Sequence, residues 1–253
     1  MSPASNVSGH RFRSNAYFFA LMVLALGATA PVQGQMFSVN PKRETIELPG
    51  LVLAVGLERT EVSYQGAAVP PPFADFSFSA DLLRFQLETG GLALSYSRGS
   101  SLGAGNTDYS SFEVALASAF PITRRDPVQI SIPFNFYSVY TIMSSRQAQF
   151  SNSEFRQNAL GLRTGLQTQL RLNPRTRIVA FGTGGYAFSA NGLNSNGGSV
   201  TQWDAGARLH VDGLIRSAGL TAGMMLHERA YDVDVRAYNY DIRSMSFILG
   251  VTF

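Results

Sequence analysis

Apolar and polar residues alternate along much of this chain, and this alternation limits the folds that the chain can adopt. Between Leu160 and Leu172 every even-numbered residue is leucine or threonine, whereas the odd-numbered residues are glycine, arginine and glutamine. A period of two places successive side chains on opposite faces of a strand, whereas a helix would scatter the leucines around its circumference. The segment is therefore predicted to be a β-strand with one apolar face.

Similar rows along the chain bring the predicted number of strands to ten, within a range of eight to twelve. The other rows are Leu51–Leu57, Leu83–Leu87, Leu92–Tyr96, Phe112–Leu116, Val128–Phe136, Val179–Phe181, Trp203–Val211, Ala218–Leu226 and Met245–Phe253. Tight turns are predicted at 89–91, 121–126, 173–175 and 212–213, and long polar segments at 59–73, 98–109, 141–156, 189–199 and 227–242. An up-and-down antiparallel sheet alternates short and long connections in this way, and a Greek-key sandwich does not.

The residues opposite the apolar rows indicate which solvent those rows face. Many of them are small: Ala54, Gly56, Ala93, Ala115, Ala117, Ala119, Gly161, Gly165, Gly206, Gly219 and Gly223. Glycine packs nothing on a water-exposed sheet, whereas the interior of a small barrel needs small residues to make room for larger ones. The predicted fold class is therefore all-β, an up-and-down antiparallel transmembrane β-barrel whose leucine-rich face contacts lipid.

Larger polar residues share the parity of the small ones and are predicted to line the lumen. These residues are Glu58, Arg84, Glu113, Arg163, Asp204 and Arg208. Because an unpaired charge is very costly in a narrow space, the arginines and carboxylates are expected to pair and to leave the lumen largely plugged. Strand length agrees with a membrane span. At about 3.3 Å per residue the row from Leu160 to Leu172 is roughly 43 Å long, or about 30 Å when tilted near 45°.

The N-terminal segment has the layout of a secretory signal peptide. The basic residues Arg11 and Arg13 precede an apolar run over 16–30, and small residues follow it. This run is short for a membrane-spanning helix, which needs about 20 residues. Cleavage is predicted after Ala30 or after Gly34.

The predicted organisation is a signal peptide, a short lead-in and one barrel. The boundaries are 1–34 for the signal peptide, 35–50 for the periplasmic lead-in and 51–253 for the transmembrane barrel. Removing the signal peptide lowers the formal net charge from +3 to +1, because it holds two arginines and no acid. A nearly neutral chain offers no compositional support for nucleic-acid binding.

The chain ends in a segment with apolar residues at every second position and a terminal aromatic residue. The residues in question are Phe247, Leu249, Val251 and Phe253. This segment resembles the C-terminal strand of bacterial outer-membrane β-barrel proteins, especially small ones with eight to ten strands such as the OmpA and OmpX types. The resemblance implies an assembly signal that the barrel-assembly machinery recognises and a strand that closes the barrel. It also implies a Gram-negative outer membrane as the location, and outer-membrane lipid as a partner.

Candidate catalytic residues are few. Ten-stranded surface proteases of this class use an Asp pair and an Asp–His pair above the membrane, and His227, Glu228, Asp232 and Asp234 begin the last long segment here. Their spacing does not match that pattern, and charged loop residues are commonly only solvated. Outer-membrane lipid A deacylases use a Ser two positions from a His, and neither His210 nor His227 has such a neighbour. No catalytic, cofactor-binding or metal-ligating residue is predicted, and the chain lacks cysteine.

The predicted function is non-enzymatic: an outer-membrane barrel with a structural or surface-interaction role, a largely plugged polar lumen and an unidentified surface ligand. A narrow channel for small solutes or ions is the first alternative, and a surface hydrolase is the second. A secreted soluble β protein with its apolar rows inside is a further alternative, which the scarcity of lysine and the glycine-rich polar face disfavour. No cofactor and no nucleic-acid partner are expected.

Overall fold

The computed structural model describes residues 50–64, 78–101, 107–145, 154–190, 197–215, 217–233 and 239–253. These residues form ten β-strands, β1 to β10 in chain order. Their bounds are β1 Leu51–Tyr64, β2 Phe78–Thr89, β3 Leu92–Ser101, β4 Thr107–Arg125, β5 Val128–Ser145, β6 Glu154–Asn173, β7 Thr176–Ala190, β8 Gly198–Ile215, β9 Ala218–Val233 and β10 Tyr240–Thr252. The predicted signal peptide and residues 35–49 of the predicted lead-in lie outside the described residues. Among the described residues, no helix is long and apolar enough to cross a membrane.

Each strand pairs antiparallel with its neighbours in sequence, and β1 also pairs with β10, so the sheet closes into a barrel. The seam between β1 and β10 extends from Val52 opposite Thr252 to Tyr64 opposite Tyr240. The backbone amide of Leu51 also donates to the carbonyl of Phe253 at 3.2 Å. The predicted up-and-down antiparallel barrel with ten strands is confirmed. Closure pairs the first strand with the last, so neither is left as a free edge.

The register of the strands sets their tilt and the width of the barrel. A row of paired residues that starts at Val52 passes once around the barrel and returns to β1 at Tyr64, which is an offset of 12 residues (64 minus 52). With strands about 4.8 Å apart and a rise of about 3.3 Å per residue, this offset corresponds to a tilt of about 40° and a backbone diameter of about 20 Å. An interior of this width is filled by side chains or left open as a narrow pore.

The outer face of the barrel is apolar. Bulky side chains on it are exposed, including Leu57 at 68%, Leu162 at 64% and Leu249 at 63%. The charged residue Glu58 and the small residues Ala54 and Ala115 have the opposite parity and are buried inside. An apolar exterior on a closed barrel contacts hydrocarbon. The leucine rows therefore lie outside, as predicted, and the chain is a transmembrane β-barrel.

The apolar row predicted for the outer face of β7 lies on the inner face of the barrel. Val179 and Phe181, predicted as part of an apolar outer row, lie on the lumen side, where the ring centroid of Phe181 is 5.9 Å from the guanidinium carbon of Arg208. The outer face of this part of β7 instead carries small residues, among them Gly182 and Gly184. Because small residues contribute no apolar signal, the alternation in β7 indicates the wrong face.

The strands extend further toward the long connections than the alternation predicts. β4 begins at Thr107 and β9 ends at Val233, so Asp108, His227 and Glu228 lie in strands and not in the predicted loops. Outward-facing residues become polar beyond the apolar band, and the alternation then disappears. Backbone pairing between strands continues, because it does not depend on side-chain polarity.

The turn predicted at 212–213 is an irregularity within β8. Gly213 has a φ of 63°, and the register shifts between Val211 and Ile215. β8 then continues to Ile215, which pairs with Ala218 of β9. Glycine adopts the left-handed conformation at little cost, both in tight turns and in β-bulges. An Asp-Gly pair therefore indicates a local change of backbone direction, but it does not distinguish a tight turn from a β-bulge.

Candidate functional site

The barrel interior holds a set of charged side chains and is the candidate functional site. Its side chains form a loop-side layer near the long connections, a central layer, and a turn-side layer near the tight turns. The structure places the predicted lumen-lining residues on the inner face, with Glu58, Arg84, Glu113, Arg163 and Asp204 in the central layer and Arg208 in the turn-side layer.

One part of the central layer joins β4, β6, β8 and β9 across the lumen. Glu113 accepts a hydrogen bond from Arg163 at 2.8 Å and contacts Arg229. Arg163 lies 3.2 Å from Asp204, and Arg229 donates to the side-chain carbonyl of Gln202 at 3.1 Å. Gln202 in turn donates to Asp204 at 2.8 Å. The two guanidiniums and two carboxylates thus form one connected network, in which each charge has an opposite charge or an amide as partner.

A second part of the central layer is centred on Glu58 of β1, whose side chain is 5% exposed. One carboxylate oxygen accepts from Arg84 of β2 and from Ser97 of β3, both at 2.7 Å. The other oxygen accepts from Thr60 at 3.0 Å, and Thr60 lies 2.9 Å from the hydroxyl of Ser244. A buried carboxylate is tolerated when its charge is paired and its oxygens are hydrogen-bonded, and Glu58 meets both conditions.

The turn-side layer contains a further ion pair, between Arg208 and Glu88 at 2.6 Å. Gln86 also donates to Glu88. The guanidinium of Arg208 lies over the ring of Phe181 and 3.2 Å from the sulfur of Met225. Arg208 is therefore held in place by its charge, an aromatic face and a thioether together.

The loop-side layer is mainly apolar and aromatic, with a few buried polar side chains such as Thr141 and Gln157. The ring of Tyr231 stacks on that of Tyr240, with centroids 4.4 Å apart and an interplanar angle of 11°. Tyr240 donates its hydroxyl to Gln157, so its polar end is satisfied. Each main member of the layer is at most 2% exposed: Val62, Leu82, Tyr109, Val139, Met143, Val200, Tyr231, Tyr240 and Ile242. The layer lies inside the barrel on the loop side of the charged network.

Sequence alternation does not predict the loop-side layer. Tyr109, Tyr231 and Tyr240 lie in segments that the polarity pattern assigns to long connections. A usable signal is nevertheless present, because these residues keep the parity of the inner face of their strands. Extending that parity past the predicted strand ends would place all three inside the barrel.

The residues considered for surface hydrolysis are not brought together. His227 faces the lumen and contacts Asp204 through Nδ1, whereas Glu228 and Asp232 face outward and Asp234 lies outside the described residues. Within the described part of the chain, Nε2 of His227 has no hydrogen-bond partner, so no hydroxyl nucleophile is bonded to it. Nor does any group of three or more His, Asp and Glu side chains there have an arrangement that could hold a metal ion.

Glu228 forms a cluster with two neighbours on the outer face. It accepts a hydrogen bond from the indole of Trp203 at 2.7 Å and another from Arg243 at 3.0 Å. An indole held at the edge of the apolar band is typical of the interfacial belt of membrane proteins. The cluster marks the loop-side edge of the band.

Aromatic residues near the strand ends suit the interfacial girdles of an outer-membrane barrel, and the sequence predicts seven residues for these girdles. Six of the seven lie on the outer face. They are Tyr96, Phe112, Tyr140, Tyr186, Phe188 and Trp203. Tyr137 was included in the same prediction, and for it the prediction is wrong. Its side chain is inside the barrel and 1% exposed, with the guanidinium of Arg163 over its ring at 5.2 Å. Aromatic character alone does not distinguish a residue of the girdle from one that packs against a lumen charge.

No protein-family model and no curated protein matches the sequence. Among solved structures, the chain is similar to the outer membrane protease OmpT from Escherichia coli, with a TM-score of 0.47 and 8% identity over 84% of this chain and 99% of that chain. It is also similar to Neisserial surface protein A, with a TM-score of 0.32 and 13% identity over 80% and 96% of the two chains. The attachment invasion locus protein of Yersinia pestis gives a TM-score of 0.24 and 12% identity over 81% and 98%.

The class of the protein follows from its own geometry. A closed antiparallel barrel of ten strands with an apolar exterior and a polar interior is the architecture of outer-membrane proteins. The protein is an outer-membrane β-barrel.

Proposed function

We propose that this outer-membrane barrel is non-enzymatic and largely closed, and that it serves membrane integrity or presents its long connections for interaction at the cell surface. The observation that carries the proposal is the loop-side layer, where Tyr231 and Tyr240 stack and are 2% and 1% exposed. Selective pores use rings of charge of one sign or rings of carbonyl groups, whereas the charges in this lumen are paired with opposite charges.

The energetic argument concerns an ion that would cross the lumen. It would first have to pass the closely packed rings of Tyr109, Tyr231 and Tyr240 in the mainly apolar loop-side layer, and hydrophobic constrictions can block conduction by excluding water. It would then have to separate pairs such as Arg163–Glu113 at 2.8 Å. Leaving a buried partner uncompensated costs several kcal/mol. Both barriers favour a structural or surface-interaction role over the conduction of ions or small solutes.

The proposal predicts that refolded wild-type protein shows no steady unitary conductance in planar lipid bilayers. Replacing Tyr109, Tyr231 and Tyr240 together by alanine removes three buried rings from the loop-side layer and is expected to produce conductance steps. The matched control is Tyr186→Ala, which removes a ring that is 50% exposed on the outer face and should leave the bilayer silent. Steady wild-type conductance that the triple variant leaves unchanged would contradict the proposal and favour the narrow channel.

We further propose that β10 is the strand that the barrel-assembly machinery recognises. The support is that its apolar side chains point outward at every second position, with Phe247 at 55%, Leu249 at 63% and Phe253 at 56% exposure. Side chains in this position are accessible until lipid covers them. The same strand also completes the seam with β1.

Phe253→Ala is expected to lower the amount of folded protein in the outer membrane of expressing cells while leaving refolding in detergent nearly unchanged. The reason is that the described hydrogen bonds of residue 253 to Leu51 are made by the backbone and survive the substitution. The amounts are measured by fractionation and by the gel mobility of unheated samples. Phe188→Ala, which truncates an outward ring that is 71% exposed, is the control, and an equal loss in both variants would contradict the proposal.

A further inference from the structure

The β6–β7 hairpin ends in a cluster of arginines. Arg171, Arg175 and Arg177 lie close together in sequence, with no acid between them. Steps of two residues from Arg163 in β6 and from Phe181 in β7, which both face the lumen, lead to Arg171 and Arg177. These two arginines are directly opposite each other in the register of the two strands. They are called the mouth pair below, because they lie on the inner face at the tight-turn end, which is periplasmic in barrels of this class.

Each arginine of the mouth pair contacts one aspartate, and both aspartates lie on the flanks of the pair. Arg171 lies 3.8 Å from Asp126 in the β4–β5 turn, which adjoins β6 on the side away from β7. Arg177 lies 3.6 Å from Asp212 of β8, which adjoins β7 on the side away from β6. Within the described bounds of β6 and β7 the only acid is Glu154, at the opposite end of β6. These two strands therefore place no carboxylate between the guanidiniums, and like charges opposite each other on paired strands repel.

Both contacts leave hydrogen-bond donors of the mouth pair unused. A guanidinium has five N–H donors, and separations of 3.6 and 3.8 Å are longer than a hydrogen bond. In the central layer, by contrast, Arg163 donates to Glu113 at 2.8 Å and lies 3.2 Å from Asp204. An ion pair as long and as exposed as that of Asp126 contributes little to stability. The mouth pair can therefore bind another anion with little loss of protein contacts.

Hydrogen-bonding groups continue along the inner face beside the mouth pair. His210 of β8 is opposite Arg177, and Thr221 of β9 is opposite His210. Both side chains are at most 4% exposed. Within the described part of the chain, neither Nδ1 of His210 nor the hydroxyl of Thr221 has a hydrogen-bond partner. A buried polar group without a partner is unfavourable, so this level of the lumen has an unmet capacity for hydrogen bonds.

The mouth pair is accessible from the periplasmic end of the lumen. Side-chain exposure is 44% for Arg171 and 41% for Asp212, falls to 13% for Glu113 in the central layer, and is at most 2% in the loop-side layer. A solute from the periplasm therefore reaches the mouth pair without passing the charged network or the loop-side layer.

The arrangement of the free donors favours phosphate over carboxylate. One guanidinium fork satisfies the two oxygens of a planar carboxylate. A phosphate group has additional oxygens that point in other directions, so it can accept from two guanidiniums at once. A phosphate between the two guanidiniums would also offset their mutual repulsion.

We propose that the mouth pair binds the phosphate group of a water-soluble solute on the periplasmic side. A phospholipid of the bilayer is separated from this site by the barrel wall, because both arginines face the lumen. The site lies at the end of the barrel opposite the long connections. The proposal therefore goes beyond a structural or surface-interaction role, and it does not depend on whether the loop-side layer is closed.

The test titrates inorganic phosphate into the folded barrel in detergent micelles, at constant ionic strength maintained with sodium chloride. Nuclear magnetic resonance follows the side-chain Nε–H signals of Arg171 and Arg177. In wild-type protein both signals are expected to shift and to saturate. Arg171→Gln, read on Arg177, and Arg177→Gln, read on Arg171, are each expected to weaken phosphate binding about tenfold, because each removes charge-assisted hydrogen bonds. Arg98→Gln removes an exposed, outward arginine at the opposite end, and this matched control should retain the wild-type affinity.

Gel mobility of unheated samples shows that each variant is folded before it is titrated, and the exposed position of Arg171 makes Arg171→Gln the milder change. Acetate at the same ionic strength is expected to bind at least about tenfold more weakly than phosphate, since it satisfies only one guanidinium. Phosphatidylglycerol added to the micelles is expected to leave both signals in place. The proposal would be overturned by a wild-type titration that does not saturate, by equal affinities for phosphate and acetate, or by equal losses in Arg171→Gln and Arg98→Gln. A shift with phosphatidylglycerol as large as that with phosphate would also overturn it, because the site would then be a lipid site.

Discussion

Replacing Glu113 by alanine is expected to lower the free energy of unfolding of the barrel by about 3–5 kcal/mol. Glu113 accepts a hydrogen bond from Arg163 at 2.8 Å and contacts Arg229, whose side chain is 5% exposed. In the variant the two guanidiniums keep only Asp204 and Gln202 as partners in this part of the network. They remain desolvated while half of their compensating charge is gone, which costs more than the net contribution of the intact pair.

The measurement is denaturant-induced unfolding in lipid vesicles, followed by circular dichroism and by gel mobility. The control is Glu228→Ala, which also removes a carboxylate bonded to an arginine, at 3.0 Å. Its partner Arg243 is 66% exposed, so the loss should stay below about 1 kcal/mol. Glu113→Gln keeps one side-chain acceptor, so its loss in the free energy of unfolding should lie between the losses of Glu113→Ala and Glu228→Ala. Equal losses for the two alanine variants would contradict a buried network in the lumen.

Replacing Leu166 on the outer face by arginine (Leu166→Arg) is expected to lower the free energy of unfolding of the barrel by about 2–4 kcal/mol. Leu166 is the middle residue of the outward row from Leu160 to Leu172, pairs with Gly182 of β7 and is 50% exposed. Because this row contacts hydrocarbon, a guanidinium at its centre lies furthest from either interface. The cost arises from removing the charge from water, and it falls as the residue approaches headgroups.

Leu172→Arg is the matched control for Leu166→Arg, because it makes the same change on the same strand about 20 Å away along the chain. Leu172 lies next to the tight turn and is 55% exposed, so the expected cost is only about 0–1 kcal/mol. The free energies of unfolding are compared in vesicles and again in detergent micelles, where the dependence on depth should weaken. Equal costs for both variants in vesicles would show that the leucine row does not span a bilayer.

The alternation alone is enough to predict the number of strands, their antiparallel order and the outer face of most of them. The reason is physical: a strand between lipid and lumen must alternate along its whole span. The rows beginning at Leu51 and at Met245 illustrate this, because their outward residues meet across the seam, with Val55 opposite Leu249. β7 is the exception, since Gly182 and Gly184 occupy its outer face.

The partners of each charge in the lumen cannot be predicted in the same way. Glu113 and Arg229 are 116 positions apart in sequence, and their contact depends on the stagger of β4 relative to β9. The sequence pattern predicts parity but not stagger. Arg229 is absent from the predicted lumen set for a different reason, because it lies within 227–242, which the pattern assigns to a long connection and the structure to β9. The same limit applies to His227, whose contact with Asp204 follows from the register of β8 against β9.

The pairing of β1 with β10 makes the order of the strands cyclic. The amide of Leu51 lies 3.2 Å from the carbonyl of Phe253, so a short peptide could join the two ends of the barrel domain without moving a strand. A circular permutant opened within one of the long connections would retain every strand pair while ending in a strand other than β10. Under the proposed role of β10 in assembly, such a permutant is expected to refold in vitro as the wild-type chain does, while less of it reaches the outer membrane of expressing cells.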